Sequence, residues 1–235
     1  MFRPKMSKIM TSQFLDFQDK SVFVSYESVP DVFMMHGAGE SDQTRLKVLA
    51  DLFLKHGFSP LTFDFVGHGK SSGVLSQSSL QERFELADFL INHFIIAKSG
   101  YPKIILGFSM SRQTAIQLLQ KYPEVEKVVL CSPAIYSDQV WNLPFDSGFT
   151  EQIKKPYSFM NSTKSQQILS DYTGKVVLVV PDVDKVISPQ IADLIEKNSK
   201  NFKKIVVTGG EYQLAKWMTN RVDTAENLVT EIIDF

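Results

Sequence analysis

The chain has 235 residues, 43% of them apolar and 22% charged, and 25 basic residues against 26 acidic ones leave a formal net charge of −1. This is too apolar and too balanced for a disordered chain, and the absence of a basic excess speaks against a nucleic-acid partner. One cysteine, Cys131, excludes an intramolecular disulfide framework and a multi-cysteine zinc site.

At the N-terminus, Arg3, Lys5 and Lys8 are not followed by an apolar run, so the segment does not read as a signal peptide. Residues 21–26 (SVFVSY) have strand character, and 31–35 (DVFMM) form a short buried run that ends at His36-Gly37. Residues 42–56 carry Leu46, Leu49 and Phe53 at helical spacing and stop at Gly57. Residues 61–65 form the next strand. A longer helix follows, with Leu80, Phe84, Ala87, Ile91 and Ile95 on one face. Its most apolar stretch, 87–97, is broken by Asp88, Asn92 and His93, far short of the roughly 18 apolar residues of a membrane span. Strand 103–108, helix 110–122 and strand 127–131 continue the alternation. So do strand 175–180, a helix near 189–198 and strand 204–207. Helix 223–233 closes the chain, with Asp223 and Glu226 as its expected capping box. Residues 133–173 break the rhythm. They hold Trp141, Phe145, Phe149 and Tyr157, and roughly 40 residues are too many for a plain connection, so an ordered insertion is expected. Alternating strands and helices predict one α/β domain over 1–235, with a doubly wound, mostly parallel sheet. The expected setting is cytoplasmic.

Gly107-Phe108-Ser109-Met110-Ser111 lies between a strand and a helix, the context of a G-x-S-x-G nucleophile elbow. Such a turn exposes the serine Oγ above the sheet and aims helix N-terminal amides at a developing oxyanion. Ser109 as a plain helix-capping serine is the other reading. Ser111 replaces the motif's last glycine, and the bulky Arg112 follows it. His36-Gly37-Ala38-Gly39 follows its own strand, and the amides of Ala38 and Met110 are the two candidate oxyanion donors.

HGAG, FDFVGHGKSSG, GFSMS and VVLCSPA occur in this order, each after a strand. The chain thereby resembles the α/β-hydrolase superfamily, most closely its small carboxylesterases of the cinnamoyl/feruloyl-esterase and S33-peptidase-like branches. The resemblance implies an α/β-hydrolase sheet with 133–173 as a small cap, and Ser109 as nucleophile. It places the orienting acid at Asp184, or second at Asp182, although both would also serve as helix-capping loop residues. The family's histidine follows the last strand, in 208–214, where this sequence has Tyr212.

The four histidines are His36, His56, His68 and His93, so a serine–acid–histidine triad in the family's order is impossible. Losing the base of such a triad costs on the order of 10⁶ in turnover, roughly 8 kcal/mol of barrier. About 10³–10⁴ over water survives from oxyanion hole and binding. A phenol ordinarily titrates near pH 10 and is a poor base at neutrality; Lys185 and Lys216 are the nominal cations that would lower it. His36 and His68, on loops at the Ser109 side, are possible substitute bases. His56, His93 and Cys131 read as structural. No metal-ligand spacing and no dinucleotide fingerprint appear, so no cofactor is expected. Two readings stand: a serine carboxylic-ester hydrolase of weak or non-standard activity, or an inactive pseudo-hydrolase that binds a small molecule. The expected ligand is a small ester or other apolar molecule, with the aromatics of 133–173 lining its pocket.

Overall fold

The computed structural model describes residues 10–132, 134–183 and 188–235. The strands are β1 (Thr11–Phe17), β2 (Lys20–Tyr26), β3 (Val32–Met35), β4 (Pro60–Phe63), β5 (Ile104–Phe108), β6 (Lys127–Cys131), β7 (Lys175–Val183) and β8 (Asn201–Glu211). They form one sheet in the order β1-β2-β4-β3-β5-β6-β7-β8. β1 and β2 pair antiparallel, as do β2 and β4; from β4 onward every pairing is parallel. The reversal of strand order beside β3 and β5 makes this a doubly wound sheet, and ligands of such sheets bind outside the strands' carboxyl ends.

The helices are α1 (Lys47–Lys55), α2 (Leu80–Ile91), α3 (Ala97–Ser99), α4 (Ser111–Lys121), α5 (Ser147–Lys154), α6 (Thr163–Asp171), α7 (Pro189–Lys197), α8 (Leu214–Met218) and α9 (Val222–Asp234). β3, β4, β5 and β6 are buried throughout, because helices cover both faces. On one face Ile105, Val128 and Val176 pack against α2, α4, α6 and α7; on the other Leu106, Val129 and Val177 pack against α1, α8 and α9. Successive strand residues thus serve opposite cores, as the two-residue strand period dictates.

Four details differ from the sequence reading. β1, a strand the sequence reading does not include, alternates in burial toward Phe17 and buries only that residue fully, since it is the sheet's edge. Asp42 caps a 3₁₀ turn (Gln43–Leu46), accepting from the Thr44 amide at 2.8 Å, and α1 starts only at Lys47. β8 runs through Gly209-Gly210 to Glu211, because a bulge in β7 lets Val183 pair with Glu211; α8 follows at once. The expected capping box is absent: α9 has Arg221 at its N-cap, and Glu226 instead accepts from Lys55 Nζ (2.8 Å) and pairs with His56 Nε2 (2.9 Å) of α1.

Candidate active site

β5 delivers Ser109 at a sharp turn. Its φ of 50° lies in the left-handed region, which a residue with a Cβ enters at a cost of about 1–3 kcal/mol. The turn is closed tightly. A Cβ on Gly107 would stand 2.7 Å from the Ser111 carbonyl oxygen, and one on Gly37 would stand 3.1 Å from the Ser109 Cβ. Ser111 and Arg112, the two departures from the motif, both have a place here. Ser111 is fully buried; its hydroxyl donates to the His36 carbonyl and accepts from Arg83 Nη2 at 2.9 Å. Arg112 is buried too, and folds back so that Nε donates to the Ser109 carbonyl at 3.0 Å. The crowding expected of a bulky side chain is resolved by turning it onto the elbow's own backbone.

Ser109 Oγ lies 3.1 Å from Tyr212 Oη, within hydrogen-bond reach. Tyr212 is the first residue after β8 and half-buried. Among the described residues, nothing in the protein accepts from the amides of Ala38 and Met110. The cleft around Ser109 measures about 230 Å³ and is lined by His36, Ala38, Arg45, Ser132, Tyr212 and Lys216, among others. Asp184 and Lys185, the expected acid and one nominal cation, lie outside the described residues. Asp182 is exposed at the end of β7 and is not part of the cleft lining.

Among the described residues neither His36 nor His68 is hydrogen-bonded to Ser109. The Phe65 amide donates to His36 Nε2 at 3.1 Å, so the ring proton sits on Nδ1, which donates to the Gly37 carbonyl at 2.6 Å. Both nitrogens are taken, and protonating Nε2 would set it against another donor. Burial holds the His36 pKa well below its ordinary value, with the Arg83 guanidinium adding to it. His68 donates from Nδ1 to the Val66 carbonyl at 3.1 Å; its Nε2 is buried without a partner among the described residues, and burial with Arg83 pushes its pKa down to about 4. The two rings stack edge to face, 5.0 Å between centroids. They support the loops after β3 and β4.

Arg83 of α2 joins these loops to the elbow, and no motif announced it. It is 1% exposed, stacks 3.7 Å from the Phe65 ring centroid, and donates from Nη2 to the His36 (3.0 Å) and Gly37 (3.3 Å) carbonyls as well as to Ser111. Burial lowers its pKa to about 9, so it remains charged at neutral pH. Arg83→Leu removes a costly buried charge but strands those acceptors. A net loss of about 2 kcal/mol is expected, read from urea denaturation midpoints.

The family described as serine aminopeptidase, S33, matches residues 27–179. The chain belongs to this family. It has a serine-hydrolase-like α/β-hydrolase fold without a histidine at the triad position. Among solved structures it is similar to Est1E from Butyrivibrio proteoclasticus with ferulic acid bound (16% identity, TM-score 0.71, 95% of this chain and 100% of that one). It is also similar to a thioesterase domain from the curacin biosynthetic pathway (14%, TM-score 0.71, 96% and 99%). A haloalkane dehalogenase loop variant from Bradyrhizobium elkanii gives 11% identity and a TM-score of 0.74 over 96% and 97%. At these identities the likeness is one of fold. No curated protein sequence matches the chain.

The cap of this S33-family chain corrects the expected acyl pocket. Its aromatic residues do not line the Ser109 cleft. Phe145 and Phe149 pack edge to face at 4.9 Å, and with Tyr136 and Val140 they form a small core against Leu80, Ala38 and Met110. The cap therefore packs against Ala38 and Met110 from outside. Trp141 lines a separate groove of about 560 Å³ between α2, α4 and α6, where it donates to Gln81 and the side chains of Gln113 and Gln117 are tied to Ser165. Tyr136, behind Tyr212, is pushed up to about 12 by burial and stays a neutral phenol. A phenol–carboxylate pair, Tyr122 donating to Asp88 at 2.5 Å, sits at the far end of α4, about 16 Å along the helix from the elbow, and joins α4 to α2. No helix among the described residues is long and apolar enough to cross a membrane.

Proposed function

We propose that this S33-family chain is a slow carboxylic-ester hydrolase for short acyl groups, with Ser109 as nucleophile. The observation that carries the reading is the strained elbow: Ser109 at φ 50°, beside two amides with no acceptor among the described residues. Ser109 Oγ bonds to the ester carbonyl carbon, and the π pair moves onto the carbonyl oxygen, facing the Ala38 and Met110 amides. The serine proton passes to solvent hydroxide. The tetrahedral species then expels the alkoxide, which takes a proton from water, and a second water hydrolyses the acyl-serine. Tyr212 holds the Ser109 hydroxyl in place and does not accept its proton efficiently. The 230 Å³ cleft lies below the 300–1,000 Å³ of sites for drug-sized ligands, which favours a short acyl chain over an aromatic one.

The test is the hydrolysis of p-nitrophenyl acetate and butyrate by the parent and by Ser109→Ala. The parent is expected to exceed the variant by at least about 100-fold. Fluorophosphonate labelling of the parent alone would identify the same oxygen. Equal rates and no labelling would overturn the reading and leave the binding-only alternative. That alternative is favoured by the Ser109–Tyr212 hydrogen bond, which occupies the hydroxyl with a partner that is not a base.

A further inference from the structure

The Ser109 cleft has a chemistry that ester hydrolysis alone does not call on. Arg45, on the 3₁₀ turn before α1, and Lys216, on α8, both line it. Neither forms an ion pair among the described residues; Arg45 has only a long contact, 3.4 Å from Nη1 to Gln213 Oε1. Glu40, exposed at the lip, is the one carboxylate among the described lining residues. Among the described lining residues two cations thus stand against one carboxylate, an excess that a single negative charge would neutralise.

A second, independent observation lies on the next strand. The pairing of Phe108 with Cys131 sets Ser109 and Ser132 side by side at the ends of β5 and β6, and the Ser109 amide donates to the Cys131 carbonyl at 3.1 Å. Ser132 has a φ of 52°, a second left-handed serine beside the first. It is 2% exposed, it lines the cleft, and its buried Oγ has no hydrogen-bond partner among the described residues. An unpartnered buried hydroxyl is costly to maintain, and so is the strained backbone that carries it. A polar ligand group in the cleft would give the Ser132 hydroxyl a partner once the side chain turns toward it.

We infer that the Ser109 cleft takes a small monoanion: a short acyl chain that ends in a carboxylate. The chain's polar groups bond to the Ser132 hydroxyl, and the carboxylate lies between Arg45 and Lys216. Arg45 offers a planar fork suited to a carboxylate, and Lys216 a mobile point charge at the rim. This rests on the reading of Ser109 as the site's centre and adds the substrate's charge to it.

The test compares two esters whose acyl chains each have four carbons, p-nitrophenyl hydrogen succinate and p-nitrophenyl butyrate, by kcat/KM. The parent is expected to prefer the succinyl ester by about tenfold or more in low salt, and the preference is expected to shrink in 0.5 M NaCl. Arg45→Gln and Lys216→Gln are each expected to cut the succinyl-to-butyryl ratio about three- to tenfold. Ser132→Ala is expected to raise the succinyl KM more than the butyryl KM. A ratio near one in the parent, or ratios unmoved by Arg45→Gln and Lys216→Gln, would overturn the inference while leaving ester hydrolysis intact. If neither ester turns over, calorimetry with methyl hydrogen succinate against methyl butyrate replaces the rates. Selective binding of the anion, lost in Arg45→Gln, would then support this inference and sink the hydrolase reading; no selectivity would sink this one.

Discussion

Tyr212→His is expected to raise the rate of p-nitrophenyl ester hydrolysis by about 10- to 1,000-fold over the parent. Ser109 already stands at a strained elbow, and a partner atom already lies 3.1 Å from its oxygen. What is missing is basicity. An imidazole ordinarily titrates near 6.5 and accepts a proton at neutral pH, where a phenol does not. Removing a triad base costs on the order of 10⁶, which bounds the gain from above. Full recovery is not expected. Imidazole is shorter than phenol, so Nε2 stops short of the position that Tyr212 Oη occupies. A long or water-bridged contact forfeits much of the advantage of proximity. The measurement is kcat/KM against pH. The variant is expected to show a new rise with a midpoint near neutrality, absent from the parent and abolished by adding Ser109→Ala. A flat profile, or an increase that survives Ser109→Ala, would remove Ser109 from the chemistry.

The fold was legible because buried parallel strands advertise themselves. Residues 103–108, 127–131 and 175–180 are nearly unbroken Val, Ile and Leu runs, as strands covered on both faces must be. The edges were harder to read for the same reason. β1 is mostly unburied, and β8 alternates with solvent and contains two glycines, so neither carries that signature fully. Within the site, Ser109, Ala38 and Met110 were marked by glycines that the close approach of two loops demands. Tyr212 stands where the resemblance to the hydrolase family puts its histidine, and no histidine follows residue 93. Arg83, Arg45 and Ser132 were not found. Arg83 reaches the elbow from α2, and Arg45 reaches the cleft from the turn before α1; such convergence belongs to tertiary packing and leaves no local pattern. Ser132 stood inside a recognised segment, but its left-handed backbone becomes visible only when the chain is folded.

Stability is expected to fall steeply between pH 6.5 and about 4, and the source is the pair of buried histidines. His68 titrates near 6.5 when unfolded and at about 4 when folded. Above 6.5 both states hold it neutral and no difference arises. As the pH falls through that window the unfolded chain binds a proton that the folded chain refuses, so unfolding is favoured. At about 1.36 kcal/mol per pH unit, His68 alone accounts for roughly 3 kcal/mol by pH 4. His36 adds in the same direction, because both its nitrogens are committed and its ring is buried against Arg83. Asp64 works against them. Burial raises its pKa despite bonds from the Gln43 and Lys70 amides, so the folded state protonates it first and gains there as the pH falls. Two histidines against one carboxylate leave a net loss. Urea unfolding at pH 7.5 and pH 4.5 measures it, with His68→Asn as the control. The variant is expected to start less stable and to lose about 3 kcal/mol less across the window. Equal losses in both proteins would show that His68 is already solvated or charged in the folded state, and that the loops beside Ser109 are looser than their hydrogen bonds imply.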